Sequence, residues 1–196
     1  MIKLFILSIL FAIGINHAIC QPVKENQFEK AVKEVILGLT SADSAGLSKY
    51  LDKNTGVYLI YRMGVSNTYK NFSTISFSDS SYPNLLFFHE KIKMPQLKYA
   101  SLPRYNCDDD TWSKKGTFVN TKKIDHLLSN TARANKKDNP GIISQKTIMN
   151  FNNLEIKSRR IVMTSDDGND LIFYLSYINN KWFLTMIDTV TTDCSA

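Results

Sequence analysis

"IKSRRIVMTSDDGNDLIFYLSYINNKWFLTMIDTV", residues 156–190, holds three runs dense in β-branched and aromatic residues. They are "IKSRRIVMTS", "LIFYLSYI" and "KWFLTMIDTV", separated by "DDGND" and "NNK". Such runs read as strands. Both connectors carry the Gly, Asn and Asp chemistry of tight turns, so the stretch is expected to form an antiparallel three-stranded meander. Strand side chains alternate, so the last run places Trp182, Leu184, Met186 and Asp188 on one face. Phe183, Thr185, Ile187 and Thr189 are expected on the other.

The opposite end of the chain has helical period. In "ENQFEKAVKEVILGLTSAD", Phe28, Ala31, Val32, Val35, Ile36 and Leu39 recur at three- and four-residue spacing. Asn26 followed by Glu29 suggests an N-cap near residue 26. "DSAGLSKYLDKNTG" predicts a second, short helix with Leu47, Tyr50 and Leu51 inward. "GVYLIYRMG" predicts a strand between two glycines. Further on, "STISFS" could be a strand, and "PNLLFFHEKIK" a strand or a helix. "CDDDTWSKKGTFV" reads as a loop leading to a short strand at Thr117 to Val119. "TKKIDHLLSNTARANK" is helical by Ile124, Leu127 and Leu128, and ends at Pro140-Gly141. Helices followed by a strand-rich C-terminus give an α+β class in one domain over 21–196, with N-terminal helices on a bent, mainly antiparallel sheet.

Residues 1–20 have the anatomy of a secretory signal peptide. Lys3 precedes an apolar run over 4–15, and Ala18 and Cys20 are placed as the small pair before a cut at Gln21. The run is too short to span a bilayer as a helix. Lipidation of Cys20 is the minor alternative, because Ile19 and His17 stand where a lipoprotein signal wants a small residue and a leucine. Removing Lys3 lowers the formal net charge from +6 to +5, mild and scattered along the chain. Lys157, Arg159 and Arg160 are expected on solvated faces with the other cations. No basic stripe with interleaved aromatics marks a nucleic-acid surface. Past residue 20 only Cys107 and Cys194 remain. In an oxidising compartment they are expected to pair and to pin a tail that would otherwise fray. On the chain-entropy model a loop this long is worth about 4–5 kcal/mol.

Two N-terminal helices and a terminal meander ending in Lys181-Trp182-Phe183-Leu184-Thr185-Met186-Ile187 resemble the nuclear-transport-factor-2-like (cystatin-like, SnoaL-type) superfamily. The resemblance covers roughly 26–62 and 156–190. It implies a bent sheet wrapped around the first helix, with a conical cavity that in enzymes holds an Asp–His pair. Past residue 20 the chain offers only His89, beside Glu90, and His126, beside Asp125. Both are expected to serve outside catalysis, His126 on the surface.

Candidate sites are few. Asp108, Asp109 and Asp110, or Asp166, Asp167, Asn169 and Asp170 around Gly168, could offer oxygens to Ca²⁺, but neither set has an alternating loop spacing. A solvated loop and a hairpin turn explain them, so no metal and no cofactor is expected. Arg62 and Asp188 interrupt apolar strands, where an unpaired charge is costly. They either face solvent at strand ends or pair with each other. Paired, they would line an aromatic pocket with Tyr58 or Tyr61, Tyr174 and Trp182. Serine-hydrolase, zinc-protease and P-loop patterns are absent. The sequence thus reads as an exported, non-enzymatic domain binding a small molecule, envelope component or protein partner. Alternatives are a hydrolase or isomerase using Asp188 with Tyr61 or His89, and a homodimeric structural module.

Overall fold

A computed structural model describes residues 16–77, 96–120, 124–164 and 170–195, with side chains from residue 24 onward. In chain order its elements begin with helices α1 (Asn16–Thr40) and α2 (Ser44–Ser48). Strands β1 (Val57–Met63), β2 (Ser66–Phe72), β3 (Leu97–Tyr99), β4 (Tyr105–Asn106), β5 (Thr111–Trp112) and β6 (Thr117–Val119) follow. Helices α3 (Leu127–Asp138) and α4 (Gln145–Ile156) then precede strands β7 (Ser158–Met163), β8 (Leu171–Ile178) and β9 (Lys181–Asp188).

The fold is α+β, and the C-terminal meander is its centre. β7, β8 and β9 pair antiparallel. The β8–β9 connection is Asn179-Asn180, at φ 47° and 63°. Two consecutive left-handed residues form the type I′ turn that matches strand twist, and asparagine tolerates that region better than most residues. The meander is extended on both sides into a seven-stranded sheet of order β2-β1-β9-β8-β7-β6-β3. β1 runs parallel to β9, and β3 parallel to β6. The β1–β2 hairpin turns at Gly64-Val65, where Gly64 takes φ +62°. β4 and β5 form a small separate ribbon.

Helices cover both faces. On one, Phe28, Val32, Val35, Ile36 and Leu39 of α1 pack with Leu59, Phe173, Leu175, Trp182 and Leu184. α2 closes on α1 where Gly38 leaves room: a Cβ there would sit 2.6 Å from Leu47. On the other face, Leu128 and Ala132 of α3 and Ile148 and Phe151 of α4 pack with Ile60, Tyr174 and Met186.

Four points depart from the sequence reading. First, α1 does not start at Asn26; it runs from Asn16, and Asn26 stands exposed within it. N–H groups there find carbonyls one turn earlier and need no cap. Second, residues 73–77 of "STISFS" form no strand; β1 pairs instead with polar "SNTYKNF". That strand lies at the sheet edge, where a weak apolar pattern suffices. Third, between Pro140-Gly141 and the first strand of the meander, α4 occupies residues that the sequence reading left without an element. Ser144 caps it, accepting from Thr147 N at 3.0 Å. Fourth, the two faces of β9 are not fixed by simple alternation. Tyr174 pairs with Met186 but Leu175 with Leu184, so Thr185 is an extra residue, a bulge. Trp182 and Leu184 therefore join Ile187 on the α1 face, and Met186 turns to the other. "PNLLFFHEKIK", His89 included, lies outside the described residues, as do residues 166–169.

Cys107 and Cys194, 87 positions apart, are joined by a disulfide with Cα atoms 5.6 Å apart. It ties the β4–β5 ribbon to the C-terminal tail. Arg62 holds the same tail, donating to the Asp193 carbonyl at 2.9 Å.

Candidate functional site

Asp188 ends β9 with its side chain fully buried, yet its partner is Arg160 of β7 and not Arg62. Arg160 Nη2 donates to Asp188 Oδ2 at 2.6 Å and to Thr191 Oγ1 at 2.5 Å. Its Nη1 donates to Asp125 Oδ2 at 2.7 Å, and Tyr174 Oη donates to the same oxygen at 3.0 Å. Asp188 Oδ1 meanwhile accepts from Val190 N and Thr191 N. Every Asp188 oxygen is thus committed, and the Arg160–Asp188 pair ties β7, β9, the tail and the segment before α3 together. Burial opposes the charge on Arg160, but the facing Tyr174, Asp188 and Asp125 outweigh it and raise its pKa further. Burial, reinforced by Asp188 and Asp125 against Arg160, pushes the Tyr174 phenol well above its ordinary value, so it stays protonated.

The structure separates the residues expected to share a pocket. Tyr174 and Asp188 meet in this network. Tyr58 and Arg62 share its face, but Arg62 bonds Asn67 and pairs with Asp193 at 3.8 Å. Tyr61 and Trp182 lie on the opposite, α1 face. There the Trp182 ring stands 4.8 Å from Phe28, and its Nε1 donates to the Lys24 carbonyl. Arg159 lies 4.6 Å over Phe28 and forks onto Glu25 at 2.8 and 2.9 Å. Burial works to raise Glu25, but the Arg159 and Tyr99 bonds prevail and hold it below the ordinary range.

Arg159 and Arg160 therefore do not simply face solvent as expected, and Arg160 and Asp125 are the polar residues that the sequence reading missed. The signal was present: Arg160 interrupts an apolar strand just as Arg62 and Asp188 do. His126 is half exposed, as expected of a surface residue, but its Nδ1 lies 3.5 Å from Oε2 of a buried glutamate, Glu155. Glu155 Oε1 accepts from Ser129 N at the start of α3, while Oε2 has no hydrogen-bond partner. Burial raises the Glu155 pKa despite those bonds and despite His126.

Of the clefts that the described residues line, two measure about 610 Å³. One lies beside the network and is lined by Leu102, Pro103, Arg104, Lys114, Asp125 and Arg160 among others. Lys114 is already bonded to Ser101, and Arg160 to its carboxylates. The other is a groove between the β1–β2 hairpin and α4. Tyr58, Tyr69 and Phe151 form its aromatic wall, with ring centroids 5.1–6.1 Å apart, all edge-to-face. Asn54, Thr55, Asn150, Asn153 and Lys157 rim it. Asn150 and Asn153 share this face of α4 by their three-residue spacing. Among the described residues, the Asn54, Asn150 and Asn153 amides and the Tyr58 and Tyr69 hydroxyls hydrogen-bond to no other side chain.

No protein-family model, curated protein or solved structure matches the chain.

Proposed function

We propose that this chain is an exported, non-enzymatic binding domain whose ligand occupies the groove between the β1–β2 hairpin and α4. One observation carries the reading: the groove concentrates aromatic surface and polar side chains whose hydrogen-bonding capacity is unspent. By contrast, Asp188, the carboxylate of the alternative enzyme reading, has every acceptor position filled and lines neither cleft. Binding sites are concave, with a few oriented polar groups on an apolar wall, and this groove fits that pattern in size and composition.

Export rests on the leader-like residues 1–20 and on the disulfide, which suits an oxidising compartment. Proline inside a helix costs about 3 kcal/mol but is tolerated in the first turn. With the leader attached, Pro22 lies inside α1; after a cut before Gln21 it stands in the first turn. The resemblance to the nuclear-transport-factor-2-like superfamily is retained as a proposal of ancestry, favoured by α1 packed across the meander.

The test is native mass spectrometry of the protein purified from exporting cells without added ligand, joined to a thermal-shift screen. The expected result is a retained or stabilising small molecule whose effect is lost in Tyr69→Ala. Its N-terminus should read Gln21. A stabilising ligand insensitive to Tyr69 but lost on changing Arg104 would move the site to the other cleft and refute the proposal.

A further inference from the structure

We infer that the ligand of this groove is an uncharged, polyhydroxylated chain, a neutral glycan; the inference rests on the binding reading above and names its ligand class. Three features of the groove converge on it. The first is the kind of polar group. Asn150, Asn153 and Asn54 each present a donor and an acceptor on one planar amide, and the Tyr58 and Tyr69 hydroxyls also do both. Vicinal hydroxyls of a sugar ring are themselves donor and acceptor in adjacent pairs, so amides meet them two bonds at a time. Carboxylates or phosphates would call for cations instead.

The second is charge. Lys157 is the sole ionisable group besides the two tyrosines among the described residues lining the groove. Nearby, Arg160, Asp125 and Asp188 are committed to one another, and Arg62 is committed to the Asp193 tail. A groove rimmed by amides with one lysine gives a charged ligand little Coulombic reason to prefer it.

The third is the aromatic wall. Tyr58 and Tyr69 are partly exposed on the groove while Phe151 beneath them is buried. The edge-to-face arrangement braces the two tyrosines through β1, β2 and α4, so they hold their orientation before any ligand arrives. Sugar rings carry one face of C–H groups, and partly exposed aromatic rings are suited to cover it. Hydroxyls at the ring rim then reach the amides. The groove is an open cleft and not an enclosed cavity, which suits a chain better than a buried monosaccharide.

The experiment is a glycan array probed with the mature protein, followed by calorimetry with the best neutral oligosaccharide found. Binding should persist from about 0.05 to about 0.5 M salt, because no ion pair contributes. Asn150→Ala and Asn153→Ala, both on the exposed face of α4, should each weaken it about tenfold while leaving the circular-dichroism spectrum unchanged. Tyr69→Phe should weaken it less than Tyr69→Ala. Preference for acidic glycans or other anions with strong salt sensitivity, still dependent on Asn150, would overturn the neutral-glycan class and leave the groove as the site. Neutral-glycan binding unaffected by Asn150→Ala, Asn153→Ala and Tyr69→Ala would overturn both. An array, an anion panel and an apolar library that all stay silent would likewise overturn both.

Discussion

Replacing Arg160 by methionine strands a carboxylate that the fold has fully buried. Asp188 has no exposed side-chain surface, and Arg160 only 15 %. Breaking a buried ion pair by removing one partner costs about 3–5 kcal/mol, because the remaining charge is left without compensation. Two backbone N–H groups and Thr191 still serve Asp188, which argues for the lower half of that range. With a urea m-value of about 2.5 kcal/mol per M for a domain of this size, the unfolding midpoint should fall by between about 1 and 2 M. The assay is equilibrium urea denaturation at pH 7 with the disulfide intact, followed by circular dichroism and tryptophan fluorescence. Arg160→Met combined with Asp188→Asn should recover about 1–2 kcal/mol of the loss, since the stranded charge is then gone. A midpoint shift below about 0.3 M for Arg160→Met would refute the reasoning. It would mean that Asp188 is solvated, and so available to substrate after all.

Glu155→Gln tests the second buried carboxylate. Burial raises the Glu155 pKa above its ordinary value of 4.5, so the folded state holds that proton more tightly than the unfolded state does. Its stabilising contribution is full below about 4.5 and is lost as pH rises through the folded value. The variant should therefore gain on the native protein in urea midpoint as pH rises from 4 to 8; parallel curves would count against it. Reduction of Cys107–Cys194 should remove about 4–5 kcal/mol and lower Tm by about 10–15 °C, with two thiols newly titratable. An unchanged Tm after complete reduction would show that Arg62 and the Asp188 turn hold the tail unaided.

Much of this architecture is written locally. The stripe from Phe28 to Leu39, the Asn179-Asn180 turn and the three C-terminal strands depend on neighbours a few positions apart, so period and turn chemistry reveal them. The disulfide follows from there being two cysteines past residue 20. α4 was harder to see because its buried positions, Ile148, Phe151 and Glu155, are diluted by asparagines, and one of the three is charged. β2 has hardly any apolar alternation to read.

What the tertiary structure alone decided is which distant residues meet. The extra residue at Thr185 reverses the faces of β9, because a bulge arises from pairing with β8 and leaves no mark on the periodicity of the strand itself. Asp188 could have met Arg62 or Arg160, both charged residues in apolar strands. The strand order, with β9 between β1 and β8, and the turn after Asp188 settled it on Arg160. The groove walled by Tyr58, Tyr69 and Phe151 exists because α4 crosses the β1–β2 hairpin. Those rings are far apart in the chain, and only packing brings them together.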